Sequence, residues 1–257
     1  MERGMKKRGQ LALFVIIAIA IVAIILLFVL RPSVAPLFGK ELAPYSFMQS
    51  CIGKDLNPVL KQLGENAGYE SLNVEGYALY QGEKYKYLCY TNEDYKTCTI
   101  QQPMIISNFN KELTRIMKAR AENCVLQMKS AYEDDGWSVQ VPRGSFSASV
   151  DVKAIEMKFD GGFSAVKGEQ TQKYTDFTLR IPSGYYELMS IASSIVDFEA
   201  TYGDSETTLY LQYYPDLSIN KIKLSDSTTI YILKNVVSGE EFRFASRSLI
   251  WPAGYGG

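Results

Sequence analysis

KKRGQLALFVIIAIAIVAIILLFVLRP, residues 6–32, divides this chain into two parts that obey different rules. Its centre, from Leu11 to Leu30, is twenty apolar residues without a charge. At about 1.5 Å per residue such a helix is about 30 Å long, the thickness of a bilayer's hydrocarbon core. Arg3, Lys6, Lys7 and Arg8 lie on its N-terminal side. Cations stay on the cytoplasmic side of a spanning helix. The pattern predicts one transmembrane helix over residues 10–30, with the bilayer as its partner and the N-terminus inside. Everything beyond Arg31 is then extracytoplasmic.

The outer part differs in charge from the whole. Five of the 27 Lys and Arg lie at or before Arg31, but only Glu2 of the 28 acids. What remains is 22 cations against 27 anions, a net charge of −5. An acidic domain with scattered cations is a poor nucleic-acid binder, so no nucleic-acid partner is expected. The chain has no histidine. That removes Ser-His-Asp and Cys-His hydrolases and His-ligated zinc or iron, and it argues for a non-enzymatic protein without cofactor or metal.

Four cysteines, Cys51, Cys89, Cys98 and Cys124, fall in the first half of the outer part. An even count outside a membrane reads as two disulfides, with three possible connectivities. Cys89 and Cys98 flank the polar stretch YTNEDYKT between two strand-like runs, where a bridge across a hairpin is natural. Cys51 and Cys124 each sit in a helix-like segment and pair by elimination. The spacings 38, 9 and 26 contain no C-x2-C pair, against a four-cysteine zinc site.

The apolar run exceeds a secretory signal's core, and the nearest small-x-small site, Ser33-Val34-Ala35, is followed by Pro36. Lys6-Lys7-Arg8-Gly9-Gln10-Leu11 resembles the leader of archaeal type IV pilin-like proteins. The resemblance implies a prepilin-type peptidase as partner, recognising Lys7, Arg8 and Gly9 and cutting between Gly9 and Gln10. The apolar helix would remain on the mature protein as an anchor. Pilin helices continue beyond the membrane, whereas Arg31-Pro32 and Pro36 end this one near Leu30. Phe14 stands where bacterial pilins carry Glu. A surface anchor is therefore expected over a filament subunit. The outer domain resembles only uncharacterised archaeal surface proteins, with two helix-borne cysteines and a Gly-Tyr or Gly-Trp after each helix. That likeness implies a location and no activity.

Beyond a leader at 1–9, the anchor and a linker at 31–43, the periodicity predicts two subdomains. The first, 44–142, is α+β and holds the disulfides. A helix from about Tyr45 to Leu63 carries Met48, Ile52, Leu56, Val59, Leu60 and Leu63, with Pro58 expected to kink or divide it. Strands follow from Leu72 to Val74, from Tyr77 to Leu79 and around Tyr85, Tyr87 and Cys89. A long helix runs from Pro103 to about Tyr132, then an extended stretch from Ser138 to Val141. Pro142 and Gly144 mark the boundary. The second, 143–257, is β-rich, with strands at Phe146–Val152, Ile155–Phe159 and Phe177–Ile181 and one helix at about Tyr185–Tyr202, burying Leu188, Ile191, Ala192, Ile195 and Phe198. Three further strands are expected near Thr208–Tyr214, Thr228–Leu233 and Glu241–Leu249, then a flexible tail, WPAGYGG. The fold class is α+β, helices packed on mainly antiparallel sheet.

Few constellations carry chemistry. Ser164-x-x-Lys167 and Ser218-x-x-Lys221 match the Ser-Lys acyl-transfer spacing, but both lie in strand-like surroundings. Glu133-Asp134-Asp135 lacks the alternation that aims carboxylates at Ca²⁺. Glu187, Asp197 and Glu199 share a helix with no partner acid evident. No catalytic residue is assigned. Tyrosine is abundant, at 18 residues, with a run through Tyr77, Tyr80, Tyr85, Tyr87 and Tyr90. Strands favour Tyr, and so do contact surfaces. The expected function is surface-structure assembly, adhesion or envelope scaffolding, with possible self-association. The alternative is a ligand-binding receptor domain with a tyrosine-lined cleft near Pro142, and a carboxylate or metal-dependent envelope enzyme stands behind it.

Overall fold

Helix α1 (Pro44–Glu65) buries Met48, Ile52, Leu56, Val59, Leu60 and Leu63 along one stripe. The structure is a computed structural model that describes residues 43–72, 76–142 and 144–250, with Ile17, Ile21 and Val22. Pro58 lies inside α1, yet the helix is not divided there. An interior proline costs about 3 kcal/mol. Burying Val59, Leu60 and Leu63 beyond it contributes about 1.5–3 kcal/mol each, which is larger.

The next elements form the first half of a large sheet. Strands β1 (Tyr77–Tyr80) and β2 (Glu83–Tyr90) make a hairpin whose turn residues, Gln81 and Gly82, have φ of 52° and 84°. Two positive φ values match the twist of a two-residue hairpin. Strand β3 (Thr99–Ile100) pairs with the end of β2. Helix α2 (Ile105–Asp134) follows, burying Phe109, Leu113, Met117, Ala121, Cys124, Val125, Met128 and Tyr132. Gly136, with φ of 82°, stops it: its amide and that of Trp137 bond back to Glu133 and Tyr132.

Two small antiparallel sheets come next. Strands β4 (Ser138–Gln140), β7 (Phe163–Lys167) and β8 (Gln170–Tyr174) form one; β5 (Phe146–Asp151), β6 (Ala154–Phe159) and β9 (Phe177–Pro182) form the other. The free edge of β5 lies against α2. Thr114 Oγ1 donates to Ala148 O at 2.9 Å and accepts from Ala148 N at 3.0 Å, and Asn110 Oδ1 accepts from Val150 N at 2.8 Å. Asn110 and Thr114 are one helical turn apart, so two side chains occupy the edge where another strand would bond.

Helix α3 (Tyr185–Tyr202) and helix α4 (Thr208–Tyr213) precede strands β10 (Leu217–Lys223), β11 (Thr228–Asn235) and β12 (Glu241–Arg247). The large sheet runs β1-β2-β12-β11-β10, with β3 against β2. Its β2/β12 pairing is parallel and the others are antiparallel. Helices α1 and α3 pack on β12, and α1 packs on α2. The fold is thus α+β with mainly antiparallel sheet.

Ala43–Gly257 form one compact unit and Met1–Leu42 another. The boundary expected at 142/143 does not separate two sheets, because β2 of the first segment pairs with β12 of the second. The strand expected near Thr208–Tyr214 is helix α4. Its Leu/Tyr alternation reads as a strand, but Glu206 accepts from the amide and hydroxyl of Thr208, and no residue of α4 is buried. Strands β7, β8 and β10 were not anticipated as such, being polar or broken by turns. Phe198 is 38% exposed rather than buried; Val196 and Glu199 hold the inner face in its place. Among the described residues no helix is long and apolar enough to cross a membrane. The leader with Lys7, Arg8, Gly9 and Gln10, the linker, the start of the Leu72–Val74 strand's continuation at 73–75 and the tail lie outside the described residues. So does the apolar run, except that Ile17, Ile21 and Val22 are helical.

The disulfides are Cys51–Cys124 and Cys89–Cys98, the expected pairing. The first joins α1 to α2 across 73 residues, the second joins β2 to the loop before β3 across 9. Loop entropy assigns them about 4 and about 3 kcal/mol.

Two substitutions test the packing. Gly64 is buried in α1, and a Cβ there meets Glu241 O and the Tyr185 ring. Helix propensity alone favours Gly64→Ala by about 1 kcal/mol. Overpacking against backbone costs about 1–3 kcal/mol, so the variant is expected to unfold at lower urea than wild type. Thr114→Val keeps the shape of the side chain and removes both bonds to Ala148. It is expected to lose about 1–3 kcal/mol in the same titration, against near neutrality if the edge bonds are dispensable.

Candidate functional site

Alternation along β2 and β11 sorts the large sheet into two faces. Tyr231, Leu233, Phe242 and Phe244 occupy the helix side. Ala78, Tyr85, Tyr87, Ile230 and Ala245 cluster on the other, with Tyr80, Ile222 and Ile232 packed against them. On this second side the β1–β2 hairpin, the β10–β11 turn and the end of β12 enclose a cleft of about 380 Å³.

Three tyrosines, Tyr77, Tyr87 and Tyr90, line the cleft with Lys86, Arg247 and Asp226. Tyr87 and Tyr90 are tilted against each other with centroids 4.9 Å apart. The Arg247 guanidinium lies 5.8 Å from the Tyr90 centroid, within cation–π range. Two backbone carbonyls hold it: Nε donates to Asp226 O at 2.9 Å and Nη1 to Thr91 O at 3.2 Å. Lys86 Nζ lies 5.6 Å from the Tyr69 ring. Gly76, with φ of 93°, completes the wall beside it, and a Cβ there would stand 3.2 Å from Lys86 Nζ.

A polar chain crosses the floor. Thr228 Oγ1 donates to Asp226 Oδ2 at 3.0 Å, and the Thr228 amide donates to Oδ1 at 3.0 Å. The threonine hydroxyl has one proton, given to the carboxylate, so the Tyr87 hydroxyl, 2.9 Å away, donates to Thr228. Burial pushes the Tyr87 phenol above its ordinary pKa, which keeps that proton in place at neutral pH. The cleft thus presents aromatic faces, two fixed cations and one carboxylate. Such groups stack on a ring, pair with an anion and accept hydroxyl protons.

Two other polar clusters have structural employment. A second cleft, of about 580 Å³, is bordered by Lys61, Glu65, Tyr185, Lys234 and Glu240. Glu240 closes the N-terminus of α3, accepting from Gly184 N at 2.5 Å and Ser183 Oγ at 2.7 Å. Glu65 faces Arg243 at 3.6 Å. Buried Glu199 accepts from the Tyr231 and Ser246 hydroxyls and from Ser205 N. Beside it, Lys221 donates to Asp204 at 2.5 Å and to Ser205 O.

The residues singled out in sequence fall elsewhere. Ser164 and Lys167 lie three apart on β7, Ser218 and Lys221 three apart on β10. That spacing puts each pair on opposite faces of its strand, which no acyl transfer can use. Lys167 bonds Asp135, whose carboxyl it holds below the usual range together with Trp137. Among the described residues no three His, Cys, Asp or Glu converge as metal ligands. The tyrosine run does contribute, through Tyr77, Tyr87 and Tyr90. The cleft does not lie near Pro142, and no residue there lines it. Asp226 and Arg247 were missed. They are distant in sequence, and nothing local distinguishes them.

Asp204 offers a pH test. Burial raises its pKa, but hydrogen bonds from Lys221 and Lys223 outweigh this and hold it below the usual carboxylate value. A carboxylate depressed in the folded state stabilises above its unfolded pKa, near 4, and that contribution is lost as pH falls through the folded value. Wild type is expected to exceed Asp204→Asn in urea midpoint from pH 7 to pH 5, and the gap to close below about pH 4. A gap that persisted at pH 2 would show that charge is not its source.

Compared with known proteins, the chain matches no family model, no curated protein and no solved structure.

Proposed function

We propose that this chain is a non-enzymatic, single-pass surface protein whose outer α+β domain works by binding. The observation that carries the reading is the order Lys6-Lys7-Arg8-Gly9-Gln10 directly before twenty apolar residues. Cations on that side orient a spanning helix with its N-terminus in the cytoplasm. The resemblance to archaeal type IV pilin-like leaders adds cleavage after Gly9 by a prepilin-type peptidase. The two disulfides support an oxidising location for residues 43–250, since such bonds are rare in reducing compartments.

Within this reading the contact is made through the tyrosine-lined cleft, in adhesion or ligand capture at the cell surface. A concave aromatic wall with fixed charges suits an individual ligand better than a flat adhesive patch does. The Cys89–Cys98 bridge stiffens the strand that carries Tyr87 and Tyr90. Arg247 is held by carbonyls that any folded copy supplies, so little ordering remains for the ligand to impose.

The mass of the N-terminal peptide of native, membrane-extracted protein tests the proposal. A start at Gln10 is expected. An intact Met1 would remove the pilin-type leader and leave an anchor. A start near Pro36 would remove the anchor as well.

A further inference from the structure

We infer that the outer edge of β10, Leu217–Lys223, pairs antiparallel with the same edge of a second copy of this chain, with Asn220 on the two-fold axis. The inference stands on the sheet and does not depend on how the N-terminus is processed.

Strand β10 ends the large sheet, and its register with β11 decides which backbone groups are left over. Val236 N donates to Asp216 O at 2.8 Å and Leu224 N to Thr228 O at 2.7 Å, and these bonds bracket the ladder. In an antiparallel pair every second residue turns both its N–H and its C=O to the neighbour. The even positions of β10 therefore face β11, and Leu217, Ile219, Lys221 and Lys223 face outward. The Leu217 amide is met by Tyr214 O at 3.0 Å. The outward N–H and C=O groups of Ile219, Lys221 and Lys223 have no partner among the described residues.

An open edge of seven residues is a template for another strand. This fold closes such an edge at β5, with Asn110 and Thr114. Lysines at an edge ordinarily repel a second strand. Here both are turned to the helix side, where Lys221 Nζ lies 5.8 Å from the Tyr231 ring. Both are also bound: Lys221 Nζ donates to Asp204 Oδ1 at 2.5 Å and Lys223 Nζ to Oδ2 at 2.7 Å.

A second copy is the occupant because the edge is complementary to itself. Centred on Asn220, the pairing sets Leu217 against Lys223, Ser218 against Ile222 and Ile219 against Lys221 of the second copy. No lysine faces a lysine, and like charges directly opposite are what destabilises a strand pair. Ile219 and Lys221 exchange amide-to-carbonyl bonds in both directions. Each Lys223 amide meets a Leu217 carbonyl. The two-fold axis of such a pairing is perpendicular to the sheet, so each face runs on into the same face of the second copy. Helix α4 packs on β10, and its Tyr210 hydroxyl lies 2.7 Å from Ser194 Oγ on α3, which places it on the helix side. The two α4 helices then flank the joint on one side. No residue of α4 is buried; Leu209 and Leu211 are exposed, and Tyr213 is 78% exposed. Strand pairing alone buries less than the roughly 1,200 Å² of a stable interface, and these side chains are the apolar area available for the rest.

The test is sedimentation equilibrium of the full-length, disulfide-intact protein in density-matched detergent. A concentration-dependent dimer is expected. Ile219→Pro removes an N–H that faces outward, so the ladder with β11 keeps its bonds, and an edge strand tolerates proline. It is expected to raise the dissociation constant of the dimer at least about tenfold, through one lost bond in each copy, with circular dichroism checking the fold. Cross-linking reads the register. Asn220→Cys brings two thiols to a non-hydrogen-bonded pair with Cα atoms about 4.5 Å apart, within disulfide range. Ser218→Cys leaves them about 13 Å apart, four residues of strand rise. Oxidation is expected to link the first variant into a covalent dimer and not the second. A chain that stays monomeric overturns the inference. So does a dimer that folded Ile219→Pro leaves intact, the result if the apolar run Leu11–Leu30 alone held the copies together. Cross-linking in both cysteine variants, in neither, or only in Ser218→Cys overturns it as well, and this pair decides if Ile219→Pro does not fold. None of these results bears on the N-terminal mass, so either proposal can fail alone.

Discussion

Glu199 is a carboxylate at 2% exposure, and the large sheet is arranged around satisfying it. A buried charge without partners is untenable by several kcal/mol. Its donors come from three places: Tyr231 on β11, Ser246 on β12 and the Ser205 amide after α3. The Ser248 hydroxyl also reaches the Glu199 carbonyl, at 2.8 Å. No two of these elements can move apart without stranding an acceptor. Burial and the adjacent carboxylate push the Tyr231 phenol far above its ordinary pKa, so it stays a donor. The interaction fixes α3 against β11 and β12. It also sets the register that brings Ala245 beside Tyr87, on the opposite face.

From that register the rest follows outward. The parallel pairing of β12 with β2 joins the last strand to the second, closing a loop that the sequence leaves open by more than 150 residues. Such closure costs entropy, which grows only slowly with length. The two bridges reduce the same cost within residues 51–124. Helix α2 does comparable work at the small sheet, where Asn110 and Thr114 replace a missing strand. Each device meets a backbone or charged group that packing alone would leave unpaired.

How much of this was legible depended on distance along the chain. The stripes of α1 and α2, the alternation of β5 and the span of α3 are local, and periodicity gives them directly. The cysteine pairing was within reach because both partners sit in recognisable elements. Helix α4 was misread because alternation cannot tell a strand from a short exposed helix fixed by Glu206. Phe198 and Glu199 exchanged faces for a related reason. The stripe drifts by one position after Ile195, and a carboxylate is not expected inside until Tyr231 and Ser246 are placed opposite it. Asp226 and Arg247 carry no local mark at all. A turn aspartate and a strand arginine become part of a cleft only when the sheet closes.

The cleft depends on that closure in a way that separates binding from stability. Tyr87 serves both: its ring belongs to the cluster with Ile230 and Ala245, and its hydroxyl enters the chain to Asp226. Tyr90 is not so committed. Tyr90 is exposed on one side, and Lys86 projects past a glycine where any Cβ would crowd it. A wall that needed only rigidity would hold its cations in ion pairs, as Arg243 is held by Glu65, Glu83 and Glu241. Arg247, four residues later on the same strand, is held by neutral carbonyls instead. Its guanidinium is positioned by backbone carbonyls rather than by an ion pair, so its place depends on the closure of the sheet and not on a facing carboxylate.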